Sequence, residues 1–288
     1  MSTPYPPELP RPIVTEMVAR ALSEDLGRAG DITAQATLAP GTQARGVLNA
    51  RGSGVIAGLP FVEAAAEALG GLTVERLVTE GAEVARGTDV AVIAGDARAL
   101  MAAERTGLNF LMHLSGIASH TARFAAAIAH TSARITCTRK TTPGLRAAEK
   151  YAVRLGGGAN HRFGLDDAIL IKDNHIAVSG GVAEALRAAQ DYAGHLTAIE
   201  IEVDTLAQLA EALEAGAKVV LLDNMSPDTL REALALNAGR AVLEASGNVD
   251  INTVAEIAET GVDYISTSKI TMAAGTLDVG LDISVEGV

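Results

Sequence analysis

The sequence predicts an α/β barrel preceded by a smaller α+β domain, and three observations carry that expectation. From residue 198 onward, short apolar runs alternate with amphipathic helical segments at an even spacing. Polar side chains recur just after each run, and the first third instead shows short segments of alternating polarity separated by turns. The β/α alternation indicates a parallel sheet with crossover helices, and the even spacing favours a barrel over an open sheet. With 288 residues, 48% of them hydrophobic, the chain can bury a sizeable core.

In chain order, residues 12–26 place Ile13, Met17, Val18, Ala21 and Leu22 at helical spacing. The glycine-punctuated residues 42–58 and the alternating residues 72–94 predict short strands, with turns at Glu80-Gly81, Arg86-Gly87 and Gly95-Asp96. Residues 102–130 read as long helices with Leu108, Leu111, Met112 and Ile117 on the apolar face. Strands are expected at 134–138, 168–171, 198–203, 218–222, 241–245 and 262–266. Asp204 is expected to cap a helix that buries Leu206, Leu209, Ala210 and Leu213 and ends before Gly216. Ser226-Pro227 opens the next helix, and residues 252–260 form a third with Val254, Ile257 and Ala258 inward. Residues 276–288 alternate again with no helix to follow, so the tail is expected to return to the first domain.

Composition excludes several classes of function. A net charge of −12 argues against a nucleic-acid or membrane-surface binder. The single cysteine, Cys137, rules out an internal disulfide framework or a cysteine-rich metal site, and on a predicted strand it is expected to be a core residue. No stretch approaches 18 consecutive apolar residues. The first twelve residues hold five prolines and no charged-then-apolar signal, so the expected location is the cytoplasm.

Charge distribution is more telling than net charge. Residues 134–172 contain eight basic side chains and three acidic ones, a net +5 in an acidic protein. They sit among Gly, His and Asn and not at helical spacing, which suggests a pocket for a small polyanion. The polar groups after the strands are Arg139 and Lys140, Lys172, Glu202, Asp223, Ser246-Gly247-Asn248 and Thr267-Ser268-Lys269. In a barrel such ends converge on one face. Two acids, several bases and a small-residue loop are the parts needed to hold a phosphorylated substrate with a divalent metal.

At this point the residues resemble the quinolinate phosphoribosyltransferase family. The resemblance is carried by Thr138-Arg139-Lys140-Thr141-Thr142-Pro143-Gly144-Leu145-Arg146, by Lys150-Tyr151-Ala152-Val153 and by Gly156-Gly157-Gly158-Ala159-Asn160-His161-Arg162. Glu104-Arg105-Thr106 lies upstream of these, and Leu170-Ile171-Lys172-Asp173-Asn174-His175, Glu202-Val203-Asp204, Leu222-Asp223-Asn224 and Ser246-Gly247-Asn248 follow, all in the family's order. Met112 and Ser119 depart from residues frequent in the family.

The resemblance implies an α/β sandwich-like N-terminal domain (residues 1–114, rejoined by a tail at 275–288) and an incomplete, open α/β barrel at 115–274. It implies homodimers, or oligomers of dimers, with an active site shared between subunits. The implied reaction joins quinolinate to phosphoribosyl pyrophosphate with Mg²⁺, giving nicotinate mononucleotide, pyrophosphate and CO2 for NAD synthesis. By resemblance Arg139, Arg162, His161 and Lys172, beside Thr138, take the dicarboxylate, with Arg105 contributed across the dimer. Arg suits this because its planar fork matches a carboxylate. Lys140 faces the pyrophosphate; Glu202 and Asp223 bind ribose hydroxyls, directly or through the metal. Ser246, Gly247, Asn248, Thr267, Ser268 and Lys269 hold the 5′-phosphate.

Three rival readings stand beside it. A nicotinate phosphoribosyltransferase would handle one carboxylate and release no CO2, and the dense cation set favours the dicarboxylate. A Schiff-base lyase would use Lys172, although neighbouring Arg and Asp residues suit ion binding better. A phosphate-ligand sensor without turnover has no use for Glu202 and Asp223. His113, His120, His130 and His195 lack ligand spacing and are expected to be structural or at the surface; His175 has no assigned role.

Overall fold

The computed structural model describes residues 7–284, which divide into two compact units. Residues 7–122, 147–157 and 274–284 form the first, and Arg123–Arg146 with Gly158–Ala273 the second.

The first unit contains α1 (Arg11–Leu26), α2 (Ile32–Thr37), β1 (Gln43–Ala50), β2 (Gly54–Val55), α3 (Leu59–Leu69), β3 (Leu72–Arg76), β4 (Glu83–Val84) and β5 (Asp89–Asp96). It also contains most of α4 (Ala97–Ala127). A single 31-residue helix thus stands where the sequence suggested several. Further on come β6 (Arg134–Thr136) and α5 (Arg146–Leu155), the latter grouping with the first unit from its second residue on.

The second unit continues with β7 (Ile169–Ile171), α6 (Asp173–Ser179), α7 (Val182–Tyr192), β8 (Ile199–Val203), α8 (Leu206–Glu214), β9 (Val219–Asp223) and α9 (Pro227–Asn237). It closes with β10 (Val242–Ser246), α10 (Val254–Ala258), β11 (Tyr264–Ser266) and α11 (Lys269–Met272), after which β12 (Val279–Ser284) belongs to the first unit again.

Alternation builds the first unit's sheet. In β1, Ala44, Leu48 and Ala50 are buried while Gln43 and Arg45 are exposed, the period of two expected of a strand with one covered face. The sheet order is β12-β1-β5-β3, all antiparallel, and the tail pairs from Arg45↔Ser284 to Ala50↔Val279. Residues 285–288 of the predicted tail lie outside the described residues. Leu48, Ile56, Leu59, Val90, Leu100 and Leu111 form the core beneath it.

Buried polar groups in this unit find partners. The Val55 N–H donates to Ser119 Oγ at 2.8 Å and the Ala57 N–H to Ser115 Oγ at 2.9 Å, so two serines on α4 serve backbone donors at the end of β2 and just beyond it. The N–H groups of Gly58 and Leu59, at the start of α3, donate to the Glu80 carboxylate at 2.8–3.0 Å, and Tyr151 Oη–H donates to it at 2.6 Å. Burial pushes the Glu80 carboxyl up, and these donors offset part of that. Burial and the Glu80 charge push the Tyr151 hydroxyl up as well, which keeps it a donor.

The second unit is a parallel six-stranded sheet in the order β6-β11-β10-β9-β8-β7. Its edge strands β6 and β7 do not pair, so the barrel is open. The sequence placed the strands within two residues, and the differences have local causes. α8 starts later than expected because Thr205, not Asp204, is the cap: its Oγ1 accepts from the Gln208 N–H at 3.2 Å, and the Gln208 side chain returns the bond. α10 is shorter than residues 252–260, since Asp250 Oδ1 accepts from the N–H groups of Asn252 and Thr253 and holds a turn before it. Ser226 caps α9 as expected. Cys137 falls just beyond β6, fully buried, its thiol 3.3 Å from Asn160 Oδ1. No helix among the described residues is long and apolar enough to cross a membrane.

Candidate functional site

Side chains at the strand ends of the second unit surround a cavity of about 410 Å³. Alternation explains its lining. Residues two apart in a strand face the same way, and the cavity takes such pairs in turn: Leu170 and Lys172 around β7, Leu221 and Asp223 on β9, Glu244 and Ser246 on β10. Glu202 of β8 and Ser266 of β11 complete the ring, and Thr138, Arg139, Lys140, His161 and Arg162 enter from the loops after β6 and before β7. The strand sequence therefore delivers two layers, an apolar or acidic floor and a charged rim.

Of the residues proposed from sequence, Thr138, Arg139, Lys140, His161, Arg162, Lys172, Glu202, Asp223 and Ser246 line this one cavity. Gly247, Asn248, Thr267, Ser268 and Lys269 follow β10 and β11 in the chain but are not part of the lining. Thr267 turns inward, its hydroxyl donating to Val249 O at 3.1 Å, and Lys269 Nζ lies 3.6 Å from Asp250 Oδ2. Arg105 belongs to the first unit, on α4, with its side chain largely exposed.

Secondary contacts hold the rim. Arg146 donates to Arg139 O, Thr141 Oγ1 and Phe163 O at 3.1–3.3 Å, tying together two loops that carry cations. Thr271 Oγ1 donates to Lys140 O at 2.8 Å. The Lys172 N–H donates to His175 Nδ1 at 2.9 Å, which gives the unassigned His175 a place as a holder of the lysine backbone. Lys172 Nζ donates to Glu202 Oε2 at 2.6 Å. Arg162 donates to Ala168 O at 3.0 Å, and burial, then the charge of Arg139, pulls its guanidinium below the usual value.

Sequence reading missed the floor. His161 Nε2 lies 2.7 Å from Glu200 Oε2, and His161, Glu200 and Glu244 each bring a ligand atom within 4.8 Å of the others. Glu200 and Glu244 are both buried. The geometry allows the set to hold a cation, and burial, followed by the Glu200 charge, pushes the Glu244 carboxyl up to about 7. The signal was available, because Glu200 lies two residues before Glu202 and Glu244 two before Ser246, hence on the same faces.

Four buried side-chain atoms find no hydrogen-bond partner among the described residues: Arg139 Nε, Arg162 Nε, Glu200 Oε1 and Glu244 Oε1. Three of those residues line the cavity, and Glu200 backs His161, which lines it. An unmade bond to a buried charged group is costly, so the two guanidinium Nε donors are poised for an anionic, hydrogen-bonding ligand, while the two carboxyl oxygens call for a donor. Two guanidiniums, two lysines and two strand-end carboxylates in one small cavity can bind a planar dicarboxylate and a phosphorylated sugar side by side.

Comparison with known proteins divides the chain near residue 116, whereas the first compact unit also takes residues 147–157 and the tail. Residues 117–282 match the family described as quinolinate phosphoribosyl transferase, C-terminal domain, and residues 31–115 its N-terminal domain. The chain is 42% identical over 274 residues to the nicotinate-nucleotide pyrophosphorylase [carboxylating] of Mycobacterium leprae, covering 93% of this chain and 96% of that one. The solved structure of the nicotinate-nucleotide pyrophosphorylase from Francisella tularensis superposes with a TM-score of 0.93 at 37% identity, over 98% of this chain and 100% of that one. Human nicotinic acid phosphoribosyltransferase shares the fold alone, with a TM-score of 0.60 at 14% identity over 95% of this chain and 73% of that one.

Proposed function

The chain belongs to the quinolinate phosphoribosyltransferase family, and from that premise we propose that it transfers phosphoribose from phosphoribosyl pyrophosphate to quinolinate with decarboxylation. The products are nicotinate mononucleotide, pyrophosphate and CO2, a step of NAD biosynthesis. The observation that carries this reading is the cavity itself, where unpartnered guanidinium nitrogens of Arg139 and Arg162 meet Lys140, Lys172 and two strand-end acids.

In this reading Arg139, Arg162, His161 and Lys172 take the two carboxylates and orient the pyridine nitrogen. Lys140 receives the charge that accumulates on departing pyrophosphate. Glu202 and Asp223 bind the ribose hydroxyls and offset the positive charge that builds at the anomeric carbon. No protein nucleophile is needed. Ser246, Gly247 and Asn248, with Thr267, Ser268 and Lys269, hold the 5′-phosphate. Once the ring nitrogen is a pyridinium it stabilises the electron pair left on the neighbouring carbon as CO2 departs, a proton from water then completes the C–H bond there, and the protein's part is to hold the departing carboxylate in place.

The donor set also fits Mg²⁺. Glu202 pairs with Leu221, two residues before Asp223, so the two carboxylates leave neighbouring strands on the same side of the sheet and offer hard oxygen ligands. Glu202 and Asp223 would hold the ion together with substrate oxygens, and its charge would lower the cost of releasing pyrophosphate. The site is read as shared in a homodimer, with Arg105 of a second subunit contributing to quinolinate binding, and the enzyme as cytoplasmic.

The test is turnover with quinolinate, phosphoribosyl pyrophosphate and Mg²⁺, measuring CO2 and nicotinate mononucleotide together, with nicotinate as the parallel substrate. Equimolar products from quinolinate alone support the reading. Product from nicotinate only would move the chain to the non-decarboxylating reaction. The shared site has its own check: mixed Arg105→Ala and Lys172→Ala subunits should recover activity, because each hybrid dimer assembles one intact site. Stable hybrids without activity would contradict it.

A further inference from the structure

We propose that Asn224 is a positioning residue that fixes the Asp223 carboxylate and the turn at 246–248 as one phosphoribose-binding unit; this rests on the phosphoribosyl-transfer reading above. Asn224 follows β9 directly and takes a left-handed backbone, φ 54°. Asparagine enters that region more readily than other side-chain-bearing residues, while branched or bulky ones are strained there. Its backbone N–H donates to Ser246 O at 2.9 Å, extending the β9–β10 ladder one residue beyond the Asp223↔Ser246 pair.

The side chain then works in both directions. Its Nδ2 donates to Asp223 Oδ2 at 2.6 Å, and its Oδ1 accepts from Asn248 Nδ2 at 3.3 Å. A carboxylate with one oxygen held in this way presents the other in a fixed direction. The amide also shapes the turn. A Cβ at residue 247, where φ is +95°, would sit 2.2 Å from Asn224 Oδ1, so glycine is required there by the backbone and by the amide alike. Asn248 follows with φ 52°. A ribose 5-phosphate is a short ligand whose hydroxyls and phosphate sit at a set separation. One side chain that braces both the hydroxyl-binding acid and the phosphate-binding turn keeps the two at the matching distance.

Asn224→Gly and Asn224→Ala separate this role from a purely backbone one, since glycine takes φ 54° without strain and alanine, as at Ala238 with φ 47°, takes it only at a cost. Binding of phosphoribosyl pyrophosphate is measured by calorimetry in the presence of phthalate, an ortho-dicarboxylate with no ring nitrogen to react. Phthalate binding is measured separately, and KM values follow from turnover. Both variants should weaken phosphoribosyl pyrophosphate at least tenfold in Kd and KM, leave phthalate and quinolinate within twofold, and melt within a few degrees of the parent. Should Asn224→Ala fail to fold, the glycine variant alone decides. Parental phosphoribosyl pyrophosphate binding by Asn224→Gly would overturn the proposal, as would equal weakening of both ligands. A parent protein that binds no phosphoribosyl pyrophosphate would instead overturn the reading of the site, and the proposal with it.

Discussion

The two units bury polar groups to opposite ends. In the first, the half-buried Glu80 is surrounded by donors, with two backbone N–H groups and the Tyr151 hydroxyl on one carboxylate. In the second, the guanidinium Nε atoms of Arg139 and Arg162 and one oxygen each of Glu200 and Glu244 are buried without a hydrogen-bond partner among the described residues. A satisfied buried charge stabilises one arrangement of the chain, whereas an unsatisfied one is tolerated where a ligand will meet it. The contrast separates polar groups that hold the fold from those that wait for substrate.

The sharpest way to break that contrast is at the rim. Lys140→Ala should lower turnover by roughly a thousandfold or more while leaving the melting temperature nearly unchanged, because the side chain is exposed and serves a developing charge. Normal turnover would remove the centre of the site assignment. Glu80→Ala should do the reverse. It strands the α3 N–H groups and Tyr151, costing about 3 kcal/mol of stability by denaturant unfolding, with kcat per folded molecule preserved.

Glu244 links the two regimes. Its folded pKa of about 7 lies above the ordinary 4.5, so the folded state holds a proton that the unfolded state releases between those values. Stability is therefore full below about pH 4.5, falls by up to about 3 kcal/mol as the pH rises through 7, and levels off beyond. Glu244→Gln should flatten this component in unfolding curves taken from pH 4.5 to 8; an unchanged slope would place the proton elsewhere. The smallest effect is expected at Arg187→Ala, which breaks an exposed pair with Glu184. A loss below about 0.5 kcal/mol in the same unfolding measurement would set the scale for polar contacts that serve neither end.

Much of the cavity could be read from the chain. A parallel strand ends where the apolar run ends, so Lys172, Asp223 and Ser246 announced themselves as the first polar residues after apolar segments, and Glu202 as the last acid within its own strand. Glu200 and Glu244 were harder to see because they lie inside the apolar runs, where an acid reads as an interruption and not as part of a site. Asn224 was visible only as part of a motif; its bridge needs the neighbouring strand. The start of α8 was misplaced by one residue because Asp204 and Thr205 are both good caps, and the reciprocal bond from Gln208 chose between them.

Periodicity and composition by themselves determined the six strands of the parallel sheet, the helices between the last four of them and the basic cluster, since these depend on residues close in sequence; the tail was legible as an alternating run, but its pairing with β1 joins opposite ends of the chain. Which interior face of the sheet carries Glu200 and Glu244, which buried groups are left without partners, and which side chain braces Asp223 were decided only by tertiary structure. Those properties belong to atoms brought together from strands 20 or more residues apart, and desolvation and hydrogen bonding act on distance in space, not on distance along the chain.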